Sequence, residues 1–464
     1  MTWLANTASA VFWGVVLLSI LVFVHEAGHY LSARTFGIRV TEFFLGMPCR
    51  FRLSHTSRTR GTEIGVTPIL LGGYNRICGM EGEEGPHAAE VLACVASHGR
   101  VSVGEVAREV GVSEDEALAD LAVLSDWASV RPYYDPKLGE RPTQKSWPAA
   151  FETVRRDANL LTTFDKGHDF TLEGSTEAGE PHALPEGGAE ALLAAERANT
   201  YRGKGFVARL VTLFAGPLVN VAVGLVLISL TVSVGGITVA RDVPVVGSVS
   251  AGSLAEQAGI QVGDEVTSVA GSQVSTWTDM GTQLRDAIAS GRAFDVTCER
   301  DGTDFTVTVD PASDESGSGL FGVTASTEVF HPSIVQSMGV AWRSVTMTAG
   351  YVAQLLQPAH TGEVVSQSTS VMGISVMASE AAKSGPVDFL YLMAALSLSL
   401  GFMNLLPIPP LDGGKIAIEL VQLVSRRRIP ERIQVGLSYA GLALTLLLFA
   451  FVLRQDILRF VIGG

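Results

Sequence analysis

Four long apolar runs divide the chain of 464 residues. They cover residues 9–29, 211–232, 387–406 and 436–453. Each is close to the length, about 20 residues, at which a helix crosses roughly 30 Å of hydrocarbon. The first run lacks the basic start and the small-residue cleavage site of a secretory signal. The pattern therefore predicts an α-helical membrane protein with about four transmembrane helices.

Alternating apolar and polar positions between the second and third runs predict an inserted β-rich domain over residues 241–330. Its stretches FDVTCER and DFTVTVD alternate as strands do, and GSVSAGSLAEQAGIQVGDEV has the pattern of strand, loop, short helix, turn and strand. This order is similar to a PDZ domain, a fold that commonly binds a peptide at a sheet edge. Two roles stay open, namely gripping a peptide and excluding bulky substrates. Residues 331–385 are expected to form an amphipathic surface helix.

A second insertion, over residues 81–200, is acidic, with 23 Asp and Glu against 10 Lys and Arg. Residues 88–134 have the order helix, helix, turn, helix, strand, with a capping box at Ser113 and Glu116. This part resembles a winged helix, whereas 135–199 is polar and is expected to include flexible linker. The presumed recognition helix, SEDEALADLAVLSD, has no Lys or Arg. We therefore expect a cytoplasmic protein partner and no nucleic acid, which would require basic residues.

Composition and charge fit membrane segments joined to soluble domains. Hydrophobic residues make up 47% of the chain. Basic residues follow the first run, precede the second and separate the third from the fourth. Because basic loops stay in the cytoplasm, we expect a multi-pass protein of the cell (inner) membrane with the PDZ-like domain extracytoplasmic. The four cysteines match no zinc ribbon or redox pair and are expected to be free thiols.

The first apolar run ends in His25-Glu26-Ala27-Gly28-His29. Residues four apart share a helix face, so both imidazoles could bind one Zn²⁺ ion, with Glu26 beside them as a general base. Two histidines meeting lipid headgroups at a helix end are the simpler alternative. Ionisable residues at membrane depth are costly and usually functional, which favours the metal site, on the cytoplasmic side of the membrane.

A third ligand is available in the segment NLLPIPPLDGG, residues 404–414. Its prolines and glycines break the helix, and irregular backbone at membrane depth must be buried in protein or line a wet cavity. Asp412 is the only carboxylate in this segment. Since catalytic zinc takes three protein ligands and keeps one position open, Asp412 is the candidate, with an ordinary Asp-Gly-Gly turn as the alternative.

HEAGH and NLLPIPPLDGG, together with GVTPILLGGY (65–74) and FAGPLVN (214–220), resemble the bacterial site-2 proteases. The resemblance implies an intramembrane zinc metalloprotease that cuts single-pass membrane proteins, such as anti-sigma factors or signal-peptide remnants. It further implies zinc binding by His25, His29 and Asp412, with Glu26 as the catalytic base. Asn404 would contact the substrate or the oxyanion, and the strand at Gly72 and Gly73 would pair with unwound substrate.

Two other function classes remain as alternatives. One is a non-catalytic membrane scaffold that recruits partners through its PDZ-like and winged-helix-like modules. The other is a membrane-tethered transcription regulator, which the acidic helix disfavours. The expected partners are membrane-protein substrates and the lipid bilayer. The expected domains are 1–80 (first span and strands), 81–200 (insertion), 201–240 (second span), 241–330 (PDZ), 331–385 (surface helix) and 386–464 (third and fourth spans).

Overall fold

The computed structural model describes residues 2–70, 72–313, 321–427 and 429–458. The chain forms two compact units, of which one holds the described residues up to Ile228 and from Met338 onward, and the other holds Ser229–Ser337. The helices are α1 (Thr2–Thr35), α2 (Ala88–His98), α3 (Val103–Val110), α4 (Glu114–Asp126), α5 (Gly188–Arg197), α6 (Phe206–Gly235), α7 (Leu254–Gln257), α8 (Trp277–Ala289), α9 (Ile334–Gln354), α10 (Pro358–Gln367), α11 (Val371–Ser384), α12 (Pro386–Asn404), α13 (Asp412–Ser425) and α14 (Glu431–Ile457).

The strands are short and belong to several small sheets. They are β1 (Val40–Leu45), β2 (Leu53–Thr56), β3 (Glu63–Val66), β4 (Gly73–Ile77), β5 (Arg100–Ser102), β6 (Val130–Tyr133), β7 (Ala150–Thr153), β8 (Ile237–Ala240), β9 (Val246–Val249), β10 (Glu265–Val269), β11 (Ser272–Gln273), β12 (Phe294–Arg300), β13 (Thr303–Val309), β14 (Val323–Ala325) and β15 (Thr327–Phe330).

The four predicted membrane helices are confirmed. Within the described part of the chain, four helices are long and apolar enough to cross a membrane, and they cover Ala5–Thr35, Phe206–Gly235, Pro386–Asn404 and Arg432–Ile457. The four cysteines are free thiols, as expected. The protein is therefore a helical membrane protein that carries additional β-sheets.

The prediction of one surface helix over 331–385 is wrong. Three helices, α9, α10 and α11, occupy this region, because Pro358 begins α10 and Ser370 caps α11. A backbone N–H and the hydroxyl of Ser370 both donate to Asp456 Oδ2, at 2.7 and 2.5 Å. α11 packs against α1, where Ala378 is buried with Leu17 and Leu21. Part of its apolar face therefore joins the protein core.

A four-stranded sheet in the order β2-β3-β1-β4 follows the first helix. β1 pairs in parallel with β3 and antiparallel with β4, so that Phe43 lies opposite Asn75. The strand expected at Gly72 and Gly73 is β4, whose first residue is Gly73, and the Gly72 carbonyl accepts from Gly46 N at 2.7 Å. In the described chain β4 is an edge strand of this sheet.

The acidic insertion folds around α2, α3, α4 and a sheet in the order β5-β7-β6. Leu92, Val106 and Leu121 lie in its core. The predicted capping box at Ser113 and Glu116 is confirmed, and Ser102 with Glu105 forms a second one at α3. α2, α3, α4 and β6 follow the predicted order, and β5 between α2 and α3 is a strand that was not predicted. The similarity to a winged helix stays a prediction.

Within 135–199, which was expected to include flexible linker, residues 150–197 contribute β7, α5 and a buried ion network. Arg39, which follows α1, contacts Asp165 at 2.6 Å and Glu196 at 2.5 Å. Arg156 contacts the other Glu196 oxygen at 2.7 Å. Such buried charges require partners, and these partners come from distant parts of the sequence. The network thereby joins the insertion to the segment that leaves the first membrane helix.

The unit Ser229–Ser337 contains one four-stranded sheet in the order β11-β10-β12-β13 and two strand pairs, β14-β9 and β15-β8. The predicted strands FDVTCER and DFTVTVD correspond to β12 and β13 and pair antiparallel. Met280 of α8 packs onto Val266 and Val296 in the core. The elements agree with the predicted order, and the PDZ assignment stays a prediction.

The buried ion network generates a prediction about stability. Burial opposes ionisation of Glu196, but Arg156 and Arg39 outweigh it and hold the pKa of this carboxyl well below its usual range. Glu196→Ala leaves both guanidinium groups without this partner, so we expect the insertion to lose about 3–5 kcal/mol of stability. Hydrogen exchange of the α4 and β7 amides in the full chain measures the loss.

The pH dependence has a defined sign. Because the folded pKa of Glu196 lies below that of an unfolded glutamate, about 4.3, the stabilisation is present above that pH. It is lost as the pH falls through the folded pKa. Glu190→Ala, at an exposed position of the same helix, is the control and should change stability by less than about 0.5 kcal/mol. Equal protection in the Glu196→Ala and Glu190→Ala chains would contradict the role of the network.

Candidate metal centre and active site

His25 and His29 lie one helical turn apart on α1 and point to the same place. Their Nε2 atoms are 3.2 Å apart, and the two residues are only 6% and 7% exposed. The sequence spacing produces this arrangement, since residues four apart share a helix face. Two imidazoles therefore meet inside the protein, on a membrane helix.

Asp412, the first residue of α13, reaches the same point where the broken segment after α12 ends. Its Oδ2 atom lies 3.0 Å from His25 Nε2 and 3.2 Å from His29 Nε2. The chain folds back tightly here, because a Cβ atom at Gly413 would lie 2.3 Å from the Leu405 backbone and one at Gly414 would lie 2.2 Å from Pro409 N. The glycines of the LDGG sequence thus permit the approach of Asp412.

The donor set fits a zinc ion. Two donors bound to tetrahedral zinc at about 2.0–2.1 Å lie roughly 3.3 Å apart, close to the separations of these three atoms. Two imidazoles and one carboxylate, with a fourth position left open, are a donor set of catalytic zinc sites.

Groups on α6 fix the orientation of both imidazole rings. The His29 Nδ1–H donates to the Thr212 carbonyl at 2.7 Å, which leaves the Nε2 lone pair free for a metal. The Asn220 side chain lies 3.4 Å from His25 Nδ1, and its Oδ1 is buried without a partner within the described chain. Turning this amide by 180° would let Oδ1 accept from the His25 ring. A Cβ at Gly216 would lie 2.3 Å from His29 Nε2, so the bare backbone makes room for the ring.

Glu26 is held by the edge strand β4. Asn75 Nδ2 donates to Glu26 Oε2 at 2.6 Å and to the Glu26 carbonyl at 3.1 Å. Gly73, on the same side of this strand, faces Glu26, because a Cβ there would lie 3.7 Å from Glu26 Cγ. The sheet therefore orients the carboxylate that stands beside the two histidines.

A cavity of about 610 Å³ opens onto the site. Glu26, His29 and Asp412 line it, and Asp126, the last residue of α4, brings the acidic insertion to its wall. The Asp126 carboxylate accepts from Gly79 N at 2.9 Å, and burial raises its pKa. The other lining residues are Glu42, Pro48, Cys49, Arg52, Tyr74, Asn75, Arg76, Ile77, Met80, Glu81 and Lys415.

The structure does not place every predicted site residue at the centre. It brings together His25, Glu26, His29 and Asp412 as expected, with Gly73 next to Glu26. Asn404 instead donates from its amide to Leu400 O at 3.0 Å, within its own helix. Gly72 lies one residue before β4 and hydrogen-bonds to Gly46.

Sequence reasoning missed Asn75, Asn220 and Thr212. A signal existed for Asn75, because it lies two positions after Gly73 and alternate strand residues share a face. Asn220 ends the stretch FAGPLVN, which was noted without a role. Thr212 acts through its backbone carbonyl, so its side-chain type carries no signal.

Comparisons with known proteins agree with this geometry. The family described as Peptidase family M50 matches residues 13–448. A protein of Lactococcus lactis, "Putative zinc metalloprotease LL2128", is 26% identical over 459 residues, which cover 96% of this chain and 97% of the relative. A similarly named protein of Neisseria meningitidis is 26% identical over 477 residues, covering 96% and 98%.

A third relative, from Mesorhizobium japonicum and also named as a zinc metalloprotease, is 35% identical over 285 residues, or 58% of this chain and 76% of its own length. The family match covers nearly the whole chain, including HEAGH and LDGG. The resemblance to site-2 proteases is thereby confirmed, and the chain belongs to peptidase family M50, as a zinc metalloprotease of membranes.

Proposed function

We propose that this membrane metalloprotease hydrolyses peptide bonds in the transmembrane segments of single-pass membrane proteins, such as anti-sigma factors or signal-peptide remnants. The main support for the proposal is that Asp412 approaches His25 and His29 next to Glu26, and that these three residues lie on a membrane helix. A membrane-embedded site is accessible to peptide bonds that soluble proteases do not reach. The family membership supports the reaction class.

His25, His29 and Asp412 would hold the zinc ion. When bound there, zinc supplies a Lewis acid that lowers the pKa of water and polarises the scissile carbonyl. Thr212 and Asn220 would keep the imidazole rings turned towards the ion.

Glu26 would act as the general base and then as the general acid. Its carboxylate is placed to accept a proton from the attacking water and to pass it to the leaving amine. Asn75 would hold one carboxylate oxygen in place and leave the other oxygen to receive the proton. This division of roles explains why the base is anchored to the sheet as well as to its own helix.

The edge strand β4 would bind the substrate backbone. A substrate helix must unwind before its carbonyl reaches the site, and an open strand edge can hydrogen-bond the released chain. β4 has this open edge in the described sheet, and its first residue, Gly73, lies beside Glu26. Gly72 and Gly73 would give the substrate room, and Asn404 is proposed to contact the substrate or the oxyanion.

Basic residues support an orientation with the acidic insertion and the active site towards the cytoplasm. The unit Ser229–Ser337 would then be extracytoplasmic in the cell (inner) membrane, acting as a PDZ domain that grips peptides or excludes bulky substrates. The acidic insertion would bind a cytoplasmic protein and no nucleic acid.

The base can be tested by Glu26→Gln, which removes the proton acceptor but none of the proposed ligands. We expect cleavage of a transmembrane model substrate to fall at least a hundredfold, the typical contribution of a general base, while bound zinc is unchanged. Gel-based cleavage assays and metal analysis in detergent measure both. Glu42→Gln, in the same cavity, is the control and should keep cleavage. Wild-type cleavage by Glu26→Gln would refute the assignment.

The role of Asn75 is tested by two variants. Asn75→Ala removes the donor, and Asn75→Asp keeps the shape but offers no amide hydrogen. We expect both to lower kcat by about tenfold or more, with KM and zinc content unchanged, because the carboxylate loses its fixed direction. If Asn75→Asp kept the kcat of the wild type, hydrogen bonding to Glu26 would not contribute to catalysis.

The orientation is tested by reporters inserted at two exposed turns, Gly139 in the acidic insertion and Gly302 between β12 and β13. We expect alkaline phosphatase, which requires an oxidising compartment, to be active only at Gly302, and green fluorescent protein to fluoresce only at Gly139. The opposite pattern would place the insertion outside the cytoplasm and contradict the proposal.

A further inference from the structure

A second cluster of metal-binding side chains lies in the acidic insertion, outside the catalytic cavity. Cys94 and His98 on α2 and Glu109 on α3 each offer one ligand atom, and these atoms lie within 4.8 Å of one another. We propose that this cluster binds a second zinc ion, which joins α2 to α3. The proposal is independent of the catalytic site, because the two clusters share no residue.

The helix geometry brings these groups together. Cys94 and His98 are four residues apart, so they share a face of α2. The ligand atoms of Cys94 and His98 lie within 4.8 Å of each other, and His98 Nε2 lies 3.4 Å from Glu109 Oε2. Glu109 reaches this face from α3, which packs into the same core as α2.

The tautomer of His98 suits a ligand. Its Nδ1–H donates to the Cys94 carbonyl at 2.9 Å, one helical turn back. Nε2 then carries the lone pair and faces Glu109. A ligand imidazole typically donates its other ring N–H to a carbonyl or carboxylate, which fixes the ring for the metal.

The donor types are those of zinc. Thiolate, imidazole and carboxylate all bind Zn²⁺, at about 2.0–2.3 Å. Cys94 is 4% exposed and is held in place by the core, whereas the His98 and Glu109 side chains are 47% and 51% exposed. Rotation of these two exposed side chains can close the distances to the ion, and solvent can supply the fourth ligand.

Metal binding must displace a proton from the thiol. An ion that binds only the folded insertion stabilises it by mass action. The insertion would then be a module whose stability depends on metal supply, next to a catalytic cavity that it helps to line through Asp126.

Cobalt spectroscopy tests the cluster separately from the catalytic site. The full chain in detergent is loaded with Co²⁺, and the near-ultraviolet charge-transfer absorption of a cobalt–thiolate bond is recorded. The catalytic donors include no sulfur, so they cannot produce this band. We expect the band in the wild type, its loss in Cys94→Ser, and its retention in the control Cys49→Ser, whose cysteine lines the catalytic cavity.

Zinc analysis supplies a second readout with variants that leave the core intact. His98→Ala and Glu109→Gln change exposed side chains. We expect bound zinc to fall from about two ions per chain to about one, the number that the catalytic site alone would hold. One zinc ion in the wild type without a thiolate band would overturn the proposal, as would a band that Cys49→Ser abolishes and Cys94→Ser preserves. Neither outcome depends on protease activity.

Discussion

The meeting of Asp412 with His25 and His29 is the contact around which the membrane part of this protein is organised. The residues are separated by 387 and 383 positions in the sequence, yet their ligand atoms lie 3.0 and 3.2 Å apart. In a low-dielectric interior, buried imidazoles and a carboxylate are costly unless they pair with one another or with a metal ion. Zinc would satisfy all three groups at once, which is why we propose them as its ligands.

Several features of the fold serve this contact. The glycines after Asp412 let the broken segment fold back, and Gly216 leaves room for the His29 ring. Backbone and amide groups of α6 orient both imidazoles, and β4 supplies Asn75 to Glu26. The two imidazoles are thus held by α6 and the base by β4, as accurate positioning of ligands and base requires. The acidic insertion reaches the cavity wall through Asp126 and is anchored beside it by Arg39.

The sequence predicted the parts of the site that depend on local spacing. HEAGH fixes its histidines by helix periodicity, and Asp412 is the only carboxylate in a segment that cannot continue a helix. The four apolar runs likewise predicted the membrane helices. Asn75 and Asn220 were missed because their roles depend on tertiary contacts. Arg156 and Glu196 lie in a stretch that was described only as polar, because their role depends on ion pairs between residues that are distant in the sequence. For the same reason α11 was expected on the surface, although its small residues pack on α1.

The most direct test of the central claim is zinc binding by the chain with and without Asp412. Both measurements use the Cys94→Ser background, so that only the catalytic site is counted. We expect about one zinc ion per chain when Asp412 is present and almost none after Asp412→Ala, because two imidazoles alone leave the site one ligand short. Unchanged zinc content after Asp412→Ala would show that the ion is held elsewhere and would contradict the account.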